Sequence, residues 1–372
     1  MRNRGSHEGG LHPCLYPILL LLSKMRPAAE EVPITVSPFN SEIAEEVSNE
    51  QDTKCEFSRL ANISLFVPLV ESCRGQASQK VREMAAKALC PLIPLRAAPL
   101  KAAALLLGLN ESLDIQSGNT VSFKISHNEL HGTLSLCYEV LDSLKRRMAG
   151  VGDNKVFLSL LQDEISRVLL PQLARMLTLL SAIICPSLHI VFLRILRTIL
   201  TLLSNYDDTS SSNTAVNIAK CLLLGECRVV LRPILHSINS GQEEKDVLPY
   251  EPVLYREAGL DLTFLSLQWS SRNRALAAQA EEDEKNSPFS TYPVSILLSL
   301  LSHPLSEVRE GVLLGCLKAV SLTSSTAADS SDNSQAVKQF LQSTGLFEIL
   351  LQRAAKELEP PLRSLSLQLI CR

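Results

Sequence analysis

FLSLLQDEISRVLLPQLARMLTLL, residues 157–180, decides the fold. Leu158, Leu161, Ile165, Val168 and Leu169 recur at steps of three and four, and Leu173, Met176, Leu177 and Leu180 resume that spacing beyond Pro171. A helix turns once in about 3.6 residues, so this spacing draws an apolar stripe along one face of each stretch. The same pattern recurs along the chain. Period-two alternation is confined to Thr120–Ile125, which predicts one short extended piece in a protein that is otherwise all-α.

The helical stretches fall into pairs separated by polar segments. The spacing predicts 59–74 with 78–93, 99–109 with 128–148, 155–184 with 187–204, 214–225 with 228–239, 252–268 with 291–302, and 305–322 with 335–356. Two second helices open alike: Ser78-Gln79-Lys80-Val81-Arg82-Glu83 runs into Ala85, Ala86, Ala88 and Leu89, and Leu305-Ser306-Glu307-Val308-Arg309-Glu310 runs into Val312, Leu313 and Cys316. Pro361-Leu362-Arg363, leading to Leu365, Leu367 and Leu369, is a fainter copy. This is the logic of a HEAT/armadillo-like α-solenoid of stacked helix pairs with polar inter-repeat loops. The Val packs inward, the Arg lies near the repeat-to-repeat ladder, and small Ala residues let helices approach. The last residues, Leu365 to Arg372, stop in mid-pattern, which reads as a solenoid cut short.

Composition fits a folded scaffold. The 372 residues are 46% apolar and 20% charged, enough to bury a core, and 36 Lys plus Arg against 39 Asp plus Glu give a net charge of -3. That balance lacks the basic excess of a stand-alone nucleic-acid binder, so any contact with nucleic acid is local. Between Ala28 and Lys54, seven acids face the single cation Lys54, with Pro33 and Pro38 interrupting regular structure, and this 28–54 segment reads as a flexible acidic loop. Residues 205–214, 240–252, 281–288 and 324–334 read as polar connections, either solvated loops or places for partner docking and phosphorylation. Residues 1–27 are then the end of a preceding helical region and 55–372 the solenoid proper.

The ten cysteines show no Cys-x-x-Cys pair and no recurrent spacing; Cys90, Cys137, Cys185, Cys221 and Cys316 lie in Leu/Ala/Ile-rich segments as buried thiols. That usage fits a reducing, cytoplasmic location. Arg2 and Arg4 ahead of Cys14–Leu22 imitate a secretory leader, but Pro17 interrupts the run and Lys24 and Arg26 crowd the cleavage region. The uncharged run Met176–Leu193 is long enough to pose the question of a membrane span. Pro186, His189 and several hydroxyls lower its apolarity, and a buried helix pair broken at Cys185-Pro186 accounts for it without a membrane.

Chemistry is sparse. No phosphate loop or nucleophile elbow occurs, and no βαβ pattern offers a sheet edge for a nucleotide or methyl-donor site. The chain is read as non-catalytic, without cofactor or metal. His127 and His131 share a helical face, which is zinc-ligand spacing, but Asn128 stands where the metalloprotease pattern requires Glu. Ser126 or Asn128 instead caps a helix, and Gly132 permits close packing; a structural role, a partner or RNA contact, and a metal ligand are the three readings of this segment. Lys80, Arg82 and Lys87 share one helix, and Lys145-Arg146-Arg147 close another, where the helix dipole alone favours cations. The alternative is a stripe that tracks phosphates across successive repeats.

Two stretches, in order, carry a resemblance: Val81-Arg82-Glu83-Met84-Ala85-Ala86-Lys87-Ala88-Leu89 followed by Pro91 and Pro94, then Asn128-Glu129-Leu130-His131-Gly132-Thr133-Leu134. They resemble the Arg-x-x-Ala-x-x-Ala-Leu-x-x-Leu and Asn-x-Leu-His-Gly-x-Leu stretches of the thyroid adenoma-associated protein (THADA) family, and His12 to Leu20 look like the tail of its central conserved domain. Members are several times longer, so the chain resembles an internal piece. The resemblance implies a non-catalytic subunit that assists an FtsJ-like methyltransferase in ribose 2'-O-methylation of the tRNA anticodon loop, with that enzyme and tRNA as partners. It carries Asn128, His131 and Gly132 forward as contact positions, with Lys80, Arg82, Lys87, Lys145, Arg146 and Arg147 near them. A generic HEAT-repeat interaction scaffold without RNA is the alternative.

Overall fold

The computed structural model describes residues 13–25, 65–115, 121–123, 125–148, 155–204, 214–240, 251–277, 294–321 and 346–371. In chain order the helices are α1 (Leu15–Ser23), α2 (Phe66–Ser72), α3 (Gln79–Leu89), α4 (Ala98–Ser112), α5 (His127–Met148), α6 (Lys155–Glu164) and α7 (Leu170–Leu180). They continue with α8 (Pro186–Ser204), α9 (Thr214–Ser240), α10 (Pro252–Ala277), α11 (Val294–Leu301), α12 (Ser306–Ser321), α13 (Leu346–Lys356) and α14 (Pro360–Cys371). The fold is an all-α solenoid. The extended piece expected at Thr120–Ile125 forms as β2 (Val121–Phe123), paired antiparallel with β1 (Leu113–Ile115) in the register Asp114 to Ser122. The acidic 28–54 segment and most of the polar connections lie outside the described residues.

The opening stretch forms a single helical run with a widened centre. Pro171 has no N–H and its ring crowds the carbonyl four residues back, so an unbroken α-helix is disfavoured there. The chain inserts a π-turn over Ile165–Leu169, in which the Leu170 N–H donates to the Ile165 carbonyl, and α6 continues into α7. Asn110 of α4 steadies the exit, its Nδ2 donating to the Gln172 carbonyl at 3.3 Å and to the Gln172 Oε1 at 3.0 Å.

The chain divides into two compact units, Met1–Met176 with Thr198–Ser211, and Leu177–Arg197 with Ser212–Arg372. In the first, α3 packs on α1, α2 and α5, and α5 packs in turn on α4. Ala85, Ala86, Ala88 and Leu89 of α3 are fully buried, as are Leu130, Leu134, Leu136 and Leu141 of α5. The small side chains of α3 allow this approach, and the leucines supply the apolar area removed from water, about 25 cal/mol per Å².

In the second unit α10 packs on α9 and α12, and α14 lies against α12 and α13. The α10–α12 contact is close because glycine stands where the backbones meet. A β-carbon on Gly311 would run into the Arg256 carbonyl, and one on Gly315 would come within 2.6 Å of the Leu260 carbonyl. Across α8 and α10, Arg197 fastens the stack: its Nε meets Asp261 Oδ2 at 2.5 Å and its Nη1 meets Glu257 Oε2 at 2.7 Å. Burial pushes the Asp261 carboxyl up, and the Arg197 guanidinium pulls against it.

One expected helix pair is a single helix. The expected break between 214–225 and 228–239 does not occur; α9 runs unbroken from Thr214 to Ser240. Gly225 serves for close approach within this helix, since a β-carbon there would fall 2.8 Å from Leu177 Cδ2. The break at Cys185-Pro186 does occur, with α7 ending at Leu180 and α8 starting at Pro186. Within α8, Pro186–Leu203 is long and apolar enough to cross a membrane, yet 61% of that window is buried inside the protein. Arg194 on the same helix is exposed.

The helix-opening signature is a folding device. Arg82 Nη1 donates to the Gln76 and Ala77 carbonyls at 2.5 and 2.9 Å, and Arg309 Nη1 donates to the His303 and Pro304 carbonyls at 2.7 and 2.9 Å. Arg363 repeats the contact, its Nε donating to the Glu357 carbonyl at 3.1 Å. In each case the arginine reaches back five or six residues to satisfy carbonyls of the turn that admits its helix. The residue just before it, Val81, Val308 or Leu362, is buried.

Two glycine substitutions separate packing from propensity. Gly311→Ala is expected to cost about 1–3 kcal/mol, because the Arg256 backbone cannot yield as a flexible side chain would. Gly108→Ala, on a helix face where a β-carbon meets nothing within 4 Å, is expected to stabilise by about 0.5–1 kcal/mol. Urea denaturation of both variants measures the contrast.

Candidate functional site

Ser126-His127-Asn128-Glu129 begins α5, and the Glu129 N–H donates to Ser126 Oγ at 3.2 Å. Ser126 is therefore the cap, not Asn128, and it satisfies one of the donors a helix start leaves free. The Glu129 carboxylate accepts from Arg74 Nε at 3.1 Å, pinning α5 to the short 3-10 turn Cys73–Gly75. One turn on, Gly132 meets that same turn so closely that a β-carbon would collide with the Arg74 carbonyl. The segment that carries the family resemblance thus sits in the seam between α5 and the α2–α3 connection.

His131 is buried, and His127 is exposed. Ser135 Oγ donates to the His131 carbonyl at 2.8 Å and lies 3.5 Å from its Nδ1. Burial first, and then the charge of Arg82, hold the His131 imidazole below its ordinary value. It is a neutral ring near physiological pH, with Arg82 next to it across the seam. Among the described residues no group of three or more His, Cys, Asp or Glu is placed to hold a metal ion.

The candidate cations divide by environment. Lys80 and Lys87 are exposed on α3, whereas Arg82 is buried and occupied with its two carbonyls. Lys145 Nζ meets Asp142 Oδ1 at 2.9 Å, and Arg146 Nε meets Asp142 Oδ2 at 3.0 Å with Glu139 Oε2 at 3.7 Å from its Nη2. Arg147 Nη1 donates to the Ile93 carbonyl at 3.0 Å. Burial pushes the Glu139 carboxyl up, with Lys87 and Arg146 drawing it back down. Burial, followed by the field of Glu139, also pushes the Cys90 thiol up to about 12.

The structure thus brings Arg82 together with His131, and Lys87 together with Glu139 and Arg146. Asn128 is half-buried and Lys80 exposed, each on the edge of this region. Sequence reasoning singled out the cations and missed both the carboxylates that answer them, Glu139 and Asp142, and the Arg74–Glu129 pair that anchors the start of α5. Two signals were readable: the Ser-x-x-Glu capping pattern at 126–129, and Asp142 three and four residues ahead of Lys145 and Arg146.

A family model described as Trm732, C-terminal TPR repeats, matches residues 46–140, a span that contains both the Val81–Leu89 and the Asn128–Leu134 stretches. No curated protein and no solved structure matches the chain significantly. The matching family describes its repeats as TPR; HEAT and armadillo, the classes read from the sequence, are not in that description.

Arg82→Met should cost about 1–3 kcal/mol, since it leaves turn carbonyls without their donor, while Lys80→Glu and Lys87→Glu should stay within about 0.5 kcal/mol of wild type. Thermal melts at fixed pH compare them. The His131 ring gives a second expectation. Its folded pKa lies below its unfolded one, so its contribution is complete above about pH 6.5 and is lost as pH falls through the folded value. Urea midpoints of wild type and His131→Gln, compared across that window, should converge as the pH drops.

Proposed function

We propose that the chain is a non-catalytic α-solenoid scaffold that assists an FtsJ-like methyltransferase in ribose 2'-O-methylation of the tRNA anticodon loop. The observation that carries this reading is the family match over residues 46–140, which falls on the two stretches that resemble the THADA family. The seam between α3 and α5 supports it physically. A scaffold must hold its repeats rigidly, and Arg82, His131 and Gly132 are spent on that rigidity. Contact with a partner then falls to the accessible Lys80, Lys87 and Asn128 around the seam, with Lys145 and Arg146 beyond them. The recurrent arginine turn at Arg82, Arg309 and Arg363 supports a HEAT-like reading of the repeats. We place the protein in the cytoplasm, where the free thiols it carries stay reduced.

A second reading, an interaction scaffold without RNA, is favoured by one observation. The Lys145–Arg147 group is matched by Asp142, Glu139 and the Ile93 carbonyl, so it presents mixed charge where a phosphate stripe would present unbroken positive charge.

Deletion of the gene should abolish 2'-O-methylation in the anticodon loop, read by mass spectrometry of purified tRNA, and the tagged full chain should bring down a methyltransferase. Unchanged methylation rejects the first reading. The double variant Lys80→Glu, Lys87→Glu then separates the two. If RNA is a partner, its affinity falls and the slope of log affinity against log salt shrinks by about one per lost phosphate contact; a protein-only scaffold shows no RNA binding to lose.

A further inference from the structure

His189 of α8 and Glu226 of α9 are both fully buried, in a unit whose interior is otherwise dominated by leucine. The His189 Nδ1 lies 2.5 Å from Glu226 Oε1, and its Nε2 lies 2.9 Å from the Ile183 carbonyl. Glu226 Oε2 meets no hydrogen-bond donor among the described residues. A carbonyl only accepts, so Nε2 carries a hydrogen, and a contact as short as that between Nδ1 and Oε1 requires a second hydrogen between them.

We propose that this second hydrogen is the pin of a proton-held clasp: it ties the first turn of α8 to the middle of α9, and its loss to solvent frees the start of α8 and the turn before it. Whether the hydrogen resides on nitrogen or on oxygen, the pair has no net charge. Take it away and an imidazole lone pair faces a carboxylate across 2.5 Å, two acceptors with no donor between them and a negative charge buried without compensation. Ile183 closes the turn between α7 and α8, so the same ring that binds Glu226 also fixes where α8 begins.

The charged groups around the pair are few. Glu226 is the charged side chain that acts on His189. Cys227, next to it on α9, is fully buried and feels Asp261, Glu226 and Arg197, of which Asp261 and Arg197 are engaged with each other; burial keeps this thiol uncharged, so it adds no charge beside the pair. Burial opposes charge on the His189 ring, but the hydrogen bond and charge of Glu226 and the Ile183 carbonyl outweigh it and raise the ring above its ordinary value. The sign follows: the clasp is fully closed below about pH 6.5, the unfolded value of histidine, and opens as pH rises through the higher folded one.

Amide exchange of the full chain, corrected for intrinsic rates and followed from about pH 6 to about pH 9, tests this. Opening releases one proton, so protection at Leu188–Phe192 should fall about tenfold per pH unit inside the window. Glu226→Gln keeps a donor on Nδ1 through its amide but holds no labile proton, and should abolish that slope. A flat profile in the wild type, or the same slope in both proteins, overturns the clasp. If Glu226→Gln fails to fold, nitrogen-15 shifts of the His189 ring in the wild type decide: titration above pH 6.5 supports the proposal, and titration at or below it overturns it.

Discussion

Three of the turns that admit a helix among the described residues expose carbonyls that the helix itself cannot satisfy, and the packing around them depends on how those carbonyls are met. Arg82, Arg309 and Arg363 each fold back onto their own turn and donate to it, one residue after an apolar side chain that points into the core. Polar satisfaction and apolar burial are thereby fixed at adjacent positions, so the direction of the incoming helix and the face it buries are set together. Arg309 extends the same logic to its neighbour, with Glu357 and Glu359 at the entrance to α14 within 3.5 Å of its guanidinium. Arg353 of α13 closes the circuit by donating to the Leu301 carbonyl and to Ser302 at the end of α11.

Between these fixed points, helices approach through missing side chains. Gly132 lets α5 lie on the Arg74 turn, and Gly311 with Gly315 lets α12 lie on α10. Close approach raises the density of apolar contact that leucine and alanine then supply, but it leaves no tolerance for an added methyl group. The consequence in the α3–α5 region is a division between inward and outward residues. Those that the family resemblance puts forward, Arg82, His131 and Gly132, are consumed by the seam, and the charges that remain accessible are Lys80, Lys87 and the mixed set of the α5 C-terminal turns.

Much of this was legible in advance. The steps of three and four from Leu158 to Leu180 required helices, because only that geometry collects such residues on one face, and Val81-Arg82 and Val308-Arg309 announced a recurrent turn. The site was less legible. Lys145, Arg146 and Arg147 read as a basic run because sequence adjacency displays them together, whereas their partners Asp142, Glu139 and Ile93 lie a turn or more away, or on another segment.

What the sequence determined by itself is the periodicity, and with it the helical class, the inward residues and the places where proline or a polar run interrupts. Those follow from local sterics and from the preference of apolar side chains for any interior. What only the tertiary structure decided is how the interruptions resolve and which polar groups pair. Gly225 became a contact point because Leu177 lies against it, Asn110 of α4 found Gln172 beside the π-turn, and His189 found Glu226 37 residues away. Such choices depend on distances between segments that the order of residues does not contain, and they are made only when burial makes an unmet hydrogen bond or charge too costly to leave.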